Sequence, residues 1–359
     1  PWAKLFEPAI KLARDGFKIN KRFHSSLSSR ASHAGASETA RQLYFDTDGN
    51  ALPAGTLVQN EELAQTFERI AREGPSAFYS SKLSQNIVET VAAATPREGA
   101  MTAADLEGYT SKQRDAVCGA YRGYRVCGMG PPSSGGVAVL QMLGMLERFE
   151  LGELGPNNPL TWHLFLEAQR LAYADREIYM ADADFVSVPL AGLIDRAYLA
   201  RRSLLIDPEA RAEQAAPGTP PGAEIAYADG DEPKERGTSH FAAADAEGTM
   251  VSYTSTIEGA FGSGLMANGF YLNNELTDFS RAPEVGGKPV ANRVEGGKRP
   301  RSSMSPTVIW DPAGKPFMAV GAAGGHEVGR RRIHVRREAP DVEIVDVDDP
   351  FDGCEVGRQ

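Results

Sequence analysis

The chain has 359 residues, 42% hydrophobic and 24% charged, a globular balance that excludes general disorder. Acidic residues outnumber basic ones 48 to 38, and the net charge of -10 argues against a nucleic-acid binder, which carries a basic excess or stripe. At about 150 residues per domain the length fits one large domain or two ordinary ones, and three cysteines make no disulfide scaffold.

The chain opens on Pro1, with no basic stretch followed by an apolar one, so no signal peptide is visible. Asn60 then caps a helical run, with Glu61 and Glu62 in its first turn and Leu63, Phe67 and Ile70 at helical spacing; Gly74-Pro75 stops it. A second run, 75–94, carries Phe78, Leu83, Ile87 and Val91. Thr102 and Asp105 make a capping-box-like start. Segment 117–127 reads as a hairpin turning at Arg122-Gly123, which places Cys118 opposite Cys127; a disulfide and two free thiols are both open there. The turn Pro131-Pro132-Ser133-Ser134-Gly135-Gly136 lacks the Gly-Lys-Ser/Thr ending of a phosphate loop and, by itself, reads as a tight turn before a helix over 137–149. The stretch 137–146 is the most apolar of the chain, too short for the ~20 residues that span a bilayer, and contains Gln141. A long helical pattern covers 161–180, with Leu164, Ala168, Leu171 and Ala172 on one face, and 186–193 reads as a short buried loop or strand. Prolines and glycines then crowd 207–237, a flexible, exposed linker.

Beyond the linker the period changes to two. Residues 239–245 and 249–257 flank a turn at Ala246-Glu247-Gly248, and Gly248 suits the left-handed position that closes such a hairpin. Pairing centred on Glu247 sets Thr238 opposite Thr256, and a bulge there would shift the pairing by one residue. No metal-ligand spacing and no Gly-x-Ser-x-Gly elbow occurs. A threonine hydroxyl needs a base beside it, and an α-amino group, with an ordinary pKa of ~7.7–8.0, is a good one. A cut between Gly237 and Thr238 would therefore supply nucleophile and base in one residue. A strand-opening threonine, taken alone, is more often structural.

A set of ordered motifs resembles the gamma-glutamyltranspeptidase family. It comprises Thr238-Ser239-His240-Phe241, Asp245-Ala246-Glu247-Gly248, Ser255-Thr256-Ile257-Glu258, Phe261-Gly262-Ser263-Gly264, the stretch from Leu272-Asn273-Asn274-Glu275 to Ser280, and Lys298-Arg299-Pro300-Arg301-Ser302-Ser303-Met304. Upstream, Pro1-Trp2-Ala3, the 131–136 turn and Asp184-Phe185-Val186-Ser187-Val188-Pro189 fit the same family, and the resemblance runs from Pro1 to about Gly325. It implies an α+β chain with the four-layer αββα sandwich of the N-terminal nucleophile hydrolases. Such a precursor cuts itself into a large subunit, here 1–237, and a small one, whose catalytic region is 238–325. It also implies Thr238 as nucleophile, Thr256 as the threonine that orients it, and Gly324 and Gly325 as backbone oxyanion donors. Glu275 and Asp278 would hold the substrate α-ammonium, and Ser302 and Ser303 its α-carboxylate. Glu258 stands where some members carry an asparagine that contacts the α-amino group.

The implied reaction is acyl transfer from small γ-glutamyl donors such as glutathione to water, amino acids or peptides. It needs no metal or organic cofactor, no nucleic acid and no membrane span, and members of the family are usually exported, to the periplasm or the exterior. Glutaryl and cephalosporin acylases share the scaffold and are the alternative on it; an uncleaved, inactive fragment is the alternative outside enzymes. Two departures stand out. No residue matches the arginine that binds the α-carboxylate in the family. The tail 326–359 runs from His326 through Arg330-Arg331-Arg332 into an acidic stretch with no helical period, as after a frame slip or truncation. On that basis the fold is expected to be incomplete at both ends, with exposed apolar sheet surface, poor self-cleavage and little activity.

Overall fold

The computed structural model describes residues 1–322 apart from 96–100, 224–226, 231 and 233–236. Helices and strands both occur, in two compact units. The first takes residues 1–113 and 257–274; the second takes 114–256 and the chain from 275 onward.

The first unit is mainly helical. Helix α1 (Glu7–Asp15) packs on α2 (Glu61–Glu73). Asn60 caps α2 as its sequence predicts, its Oδ1 accepting from Leu63 N at 2.9 Å, and Gly74 ends it at φ 81°. The run 75–94 is not one helix. A turn Ser76–Tyr79 ends at Ser80, and Ser81 starts α3 (Lys82–Ala94) by exchanging capping bonds with Ser84. Serine hydroxyls offer the backbone an alternative to the helical bond, which breaks the run at that pair. Thr102 and Asp105 form their capping box at the start of Ala103–Glu107. Ile19, Leu27, Tyr44, Phe45 and Val58 make a core with Phe261 and Met266.

In the second unit β1 (Val117–Tyr121) and β2 (Tyr124–Gly128) form the expected hairpin. Arg122 and Gly123 have φ of 50° and 85°, the pair of left-handed residues that matches the twist of the strands. Cys118 pairs with Cys127, their Cα atoms 4.1 Å apart, and the two sulfurs are bonded. Helix α4 (Gly135–Leu146) begins two residues before the expected start and ends short of Phe149. It packs against α5 (Pro159–Tyr179), which Asn158 caps, and against α6 (Arg196–Ser203). Segment 186–193 is a loop that ends in a helical turn, Leu190–Leu193.

Strands β3 (Ser239–Ala244) and β4 (Met250–Ser255) form a second hairpin, and β5 (Thr307–Trp310) and β6 (Pro316–Val320) a third. The antiparallel sheet runs β6–β5–β2–β1. Val117, Val126, Val137, Leu140, Tyr179, Met180 and Leu193 lie between this sheet and its helices. Each such buried side chain contributes about 1.5–3 kcal/mol. The described part of segment 207–237 is anchored rather than loose. Gly218 N donates to Asp175 Oδ1 at 2.7 Å, Tyr179 donates its hydroxyl to Gly218 O, Ala228 bridges Val290 in parallel, and Tyr227 is buried.

Candidate active site

The β3–β4 hairpin carries the proposed nucleophile. Its turn is set by Asp245, whose Oδ1 accepts from Thr249 N at 2.7 Å, and by Gly248 at φ 89°. Every cross-strand pair, from Ala244 with Met250 to Ser239 with Ser255, is equidistant from Glu247. One step further along that register, Thr238 faces Thr256. Alternation leaves Thr238, His240, Ser252, Thr254 and Thr256 half-buried on one face, while Ser239, Phe241, Tyr253 and Ser255 are exposed on the other. Thr256 Oγ1 donates to the carbonyl oxygen of Gly237 at 2.6 Å. The bond before Thr238 thus has its carbonyl polarised by the hydroxyl across the hairpin.

Ser252 ties this hairpin to the sheet: its Oγ accepts from Thr307 N at 3.0 Å and donates to Val320 O at 2.9 Å. His240 Nδ1 lies 2.8 Å from Thr254 Oγ1, and burial lowers its pKa from the ordinary 6.5. Its ring fills the space over Gly321, where a Cβ would come within 2.3 Å of it.

Ser302 and Ser303 sit on the 131–136 turn. Ser302 bridges Ser133 in parallel, Ser134 N and Oγ both donate to Ser302 O, at 2.7 and 2.8 Å, and Ser133 Oγ donates to Met304 O. The two segments meet so closely that a Cβ on Gly135 would lie 2.5 Å from Met304 O. Glycine is required there because backbone approaches backbone. The turn is therefore the bed of the serine loop as well as the start of α4.

Behind the loop is a buried ionic cluster. Arg176 donates Nε to Ser134 Oγ at 2.8 Å, Nη2 to Ser303 Oγ at 2.9 Å and Nη1 to Glu177 at 2.7 Å. Arg301, 1% exposed, donates to the carbonyls of Arg176 and Met180 and pairs with Glu177 and with Glu232 of the linker. Burial raises the Glu177 carboxyl, but the charges of Arg301 and Arg176 outweigh it and hold it below the ordinary carboxylate range.

Asp278 and Glu275 share a short helical turn, Glu275–Asp278, and Asp278 is buried. Asn292 joins that turn to the serine loop. Its Nδ2 donates to Asp278 O at 2.7 Å and to Glu232 Oε1 at 2.7 Å, and its Oδ1 accepts from Arg301 N at 2.9 Å. Glu258 belongs to the first unit, where it is buried with φ 69°; Asn274 donates to its carboxylate, and Asn274 Oδ1 accepts from Gly259 N. Gly324 and Gly325 lie outside the described residues.

Four residues of this arrangement are missing from the sequence reading: Arg176, Glu177, Glu232 and Asn292. A signal exists for one of them. The apolar stripe of α5, at 164, 168, 171 and 172, continues in phase to 175, 176 and 179, so Asp175 and Arg176 occupy interior positions. Buried charges of this kind must be paired. No local pattern marks Asn292 or Glu232.

The family model described as gamma-glutamyltranspeptidase matches residues 1–333, eight residues beyond the point at which the motifs give out. The glutathione hydrolase proenzyme of Bacillus subtilis (strain 168) is 38% identical over 330 residues, 90% of this chain and 54% of that protein. The chain spans about half the length of the curated relatives it matches. Among solved structures, Helicobacter pylori gamma-glutamyltranspeptidase is 34% identical with a TM-score of 0.58, over 62% of this chain and 64% of that one. The cephalosporin acylase from Bacillus halodurans is 25% identical with a TM-score of 0.72, over 89% of this chain and 55% of that one. With a family model that takes in nearly all of its length, the chain belongs to the gamma-glutamyltranspeptidase family.

Proposed function

We propose that the chain cleaves itself before Thr238 and then transfers γ-glutamyl groups through that threonine. The observation that carries the reading is the 2.6 Å bond from Thr256 Oγ1 to the Gly237 carbonyl. In the first stage Thr238 Oγ attacks the Gly237 carbonyl carbon, and Thr256 stabilises the charge that develops on its oxygen. The peptide C–N bond breaks, an ester forms on Oγ, and the nitrogen becomes the free amine of Thr238. Water hydrolyses the ester, which leaves a Gly237 carboxylate and a free hydroxyl. The products are a large subunit, 1–237, and a small subunit from Thr238, the two parts of one αββα sandwich.

In the second stage the same Oγ attacks the γ-carbonyl of a donor such as glutathione, and the Thr238 amine takes the hydroxyl proton. The amine then delivers it to the leaving nitrogen. Water, an amino acid or a peptide amine attacks the γ-glutamyl ester and releases the enzyme. Asp278 and Glu275 pair with the donor ammonium, Ser302 and Ser303 bond its carboxylate, and Gly324 and Gly325 are assigned as the backbone donors to the oxyanion. The chemistry calls on no metal or organic cofactor. The site of action is the periplasm or the exterior, which the Cys118–Cys127 disulfide supports, since such bonds persist in oxidising compartments. No helix among the described residues is long and apolar enough to cross a membrane.

The likeness to a cephalosporin acylase favours a second reading on the same scaffold, with glutaryl amides as donors. The test is intact mass spectrometry of the purified chain, followed by turnover of γ-glutamyl-p-nitroanilide and glutaryl-p-nitroanilide. Two fragments meeting at 237/238 and preference for the γ-glutamyl donor are expected. Cleavage elsewhere, or an uncut chain, would reject the threonine assignment, and turnover of the glutaryl donor alone would select the acylase reading.

A further inference from the structure

We propose that His240 is a positioning residue: its ring, seated on Gly321, sets how closely the hairpin bearing Thr238 approaches the chain that leaves β6. The inference rests on the reading above that Thr238 is the nucleophile and that the oxyanion donors follow β6.

Three rungs of the β3–β4 hairpin share the half-buried face: Ala242 with Ser252, His240 with Thr254 and, one step further, Thr238 with Thr256. The first rung is tied to the sheet by hydrogen bonds, Ser252 Oγ accepting from Thr307 N and donating to Val320 O. The next residue of that chain, Gly321, meets the second rung at His240. From 320 to 321 the chain leaving β6 therefore advances from the first rung to the second, in the direction of Thr238. The glycine pair assigned to the oxyanion stands three and four positions further along the sequence.

The second rung is tied by shape. A Cβ on Gly321 would lie 2.3 Å from Cε1, 2.4 Å from Nδ1 and 2.8 Å from Nε2 of His240, so the nitrogen-bearing edge of the ring faces the glycine. Non-bonded carbons sit about 3.5–4.0 Å apart, and a side chain at 321 would have to push the two chains apart by about 1 Å. Gly321 is not among the glycines with positive φ, so it is the ring and not the backbone that requires glycine there. Thr254 Oγ1, 2.8 Å from Nδ1, holds the ring in this orientation. Nε2 has no hydrogen-bond partner among the described residues, so the contact with Gly321 is one of packing. Close-packed atoms resist compression, and the contact fixes a distance.

Self-cleavage and transfer depend on that distance differently. Attack on the Gly237 carbonyl uses Thr238 and Thr256, both within the hairpin, whose register is set by its own turn. Transfer also needs the donors that follow β6, and a misplacement of about 1 Å is enough to cost about a hundred-fold in rate.

The experiment compares the full chain with Gly321→Ala, His240→Ala and the double variant. It reads cleavage by intact mass spectrometry, kcat and KM for γ-glutamyl-p-nitroanilide, and unfolding in urea. Gly321→Ala is expected to cleave at 237/238 and to keep its KM, while kcat falls about a hundred-fold. His240→Ala, which leaves the spacing unset, should lower kcat about ten-fold. In the double variant the new methyl occupies the place of the ring edge, and kcat should rise about ten-fold above that of Gly321→Ala. Independent effects would multiply instead, and a double variant no faster than Gly321→Ala would overturn the proposal. So would an unchanged kcat in Gly321→Ala, or losses of cleavage and turnover that together follow the loss of stability in urea, as a purely structural contact would give. An unsubstituted chain that stays uncut, or is cut elsewhere, would reject the threonine reading itself and this inference with it.

Discussion

The β3–β4 hairpin and the serine loop are built in opposite ways. In the hairpin every contact that sets the register lies within about twenty residues: Asp245 and Gly248 in the turn, the alternation of strand residues, and Thr256 reaching Gly237. The serine loop has almost no local structure. It is held by Ser133, Ser134, Arg176, Glu177, Glu232 and Asn292, at separations in sequence of up to 171 residues. The element that would hold the nucleophile is thus encoded where it stands, whereas the element that would recognise the substrate is assembled from distant pieces. Processing and recognition are expected to fail separately when each region is perturbed.

The largest effect belongs to the hairpin. Thr238→Ala should abolish self-cleavage, leaving a single species of 38.6 kDa by intact mass spectrometry. Cleavage in that variant would dissolve the contrast, since the hairpin would then not hold the nucleophile. Next comes the serine loop. Arg301→Ala leaves the half-buried Glu177 and Glu232 without that fully buried partner and should cost about 3–5 kcal/mol in urea unfolding. Tyr253→Ala, which removes an exposed ring stacked on Phe241 at 5.0 Å, should cost only about 1 kcal/mol. Equal costs would show that the loop is no more dependent on long-range pairing than the hairpin.

The β1–β2 hairpin gives a third point of comparison, a local element that also carries a covalent tie. Thiol counting under denaturing, non-reducing conditions should find one free thiol of three, and reduction should cost about 2–3 kcal/mol, as expected for a loop of this size. Three free thiols would remove the bridge. Asp278→Ala sharpens the recognition side. Loss of a charged partner for the donor ammonium should weaken γ-glutamyl turnover by about 10–150-fold, or ~1.5–3 kcal/mol, and spare the glutaryl donor. Equal losses would show that Asp278 does not face the ammonium.

The smallest effect is a pH slope. His240 has its pKa depressed by burial, so between that pKa and 6.5 the unfolded chain binds a proton that the folded chain does not. Stability should therefore fall as pH drops below about 6.5 and level off once folded His240 also protonates. Replacing His240 with Phe should flatten that slope in unfolding curves. A slope unchanged in that variant would assign it to other groups.

The sequence by itself determined the elements whose information is local. Asn60 and Thr102 caps, the Arg122-Gly123 turn with Cys118 opposite Cys127, and the register that sets Thr238 against Thr256 all follow from side chains that meet their partners within a few residues or across one tight turn. The run 75–94 misled because apolar spacing continues through Ser80-Ser81, where hydroxyl capping overrides it. Segment 207–237 reads as loose because proline and glycine describe only its own backbone, not the Asp175, Val290, Asn292 and Arg301 that tie it down. Only the tertiary structure decided how the 131–136 turn is used, because a glycine-rich turn does not specify which loop will lie on it. It also decided that Arg176 and Asn292 belong beside Ser303 and Asp278. A buried arginine must be paired, and its sequence position shows that need, but the partner is fixed only when folding brings α5, the linker and the loop into the same low-dielectric space.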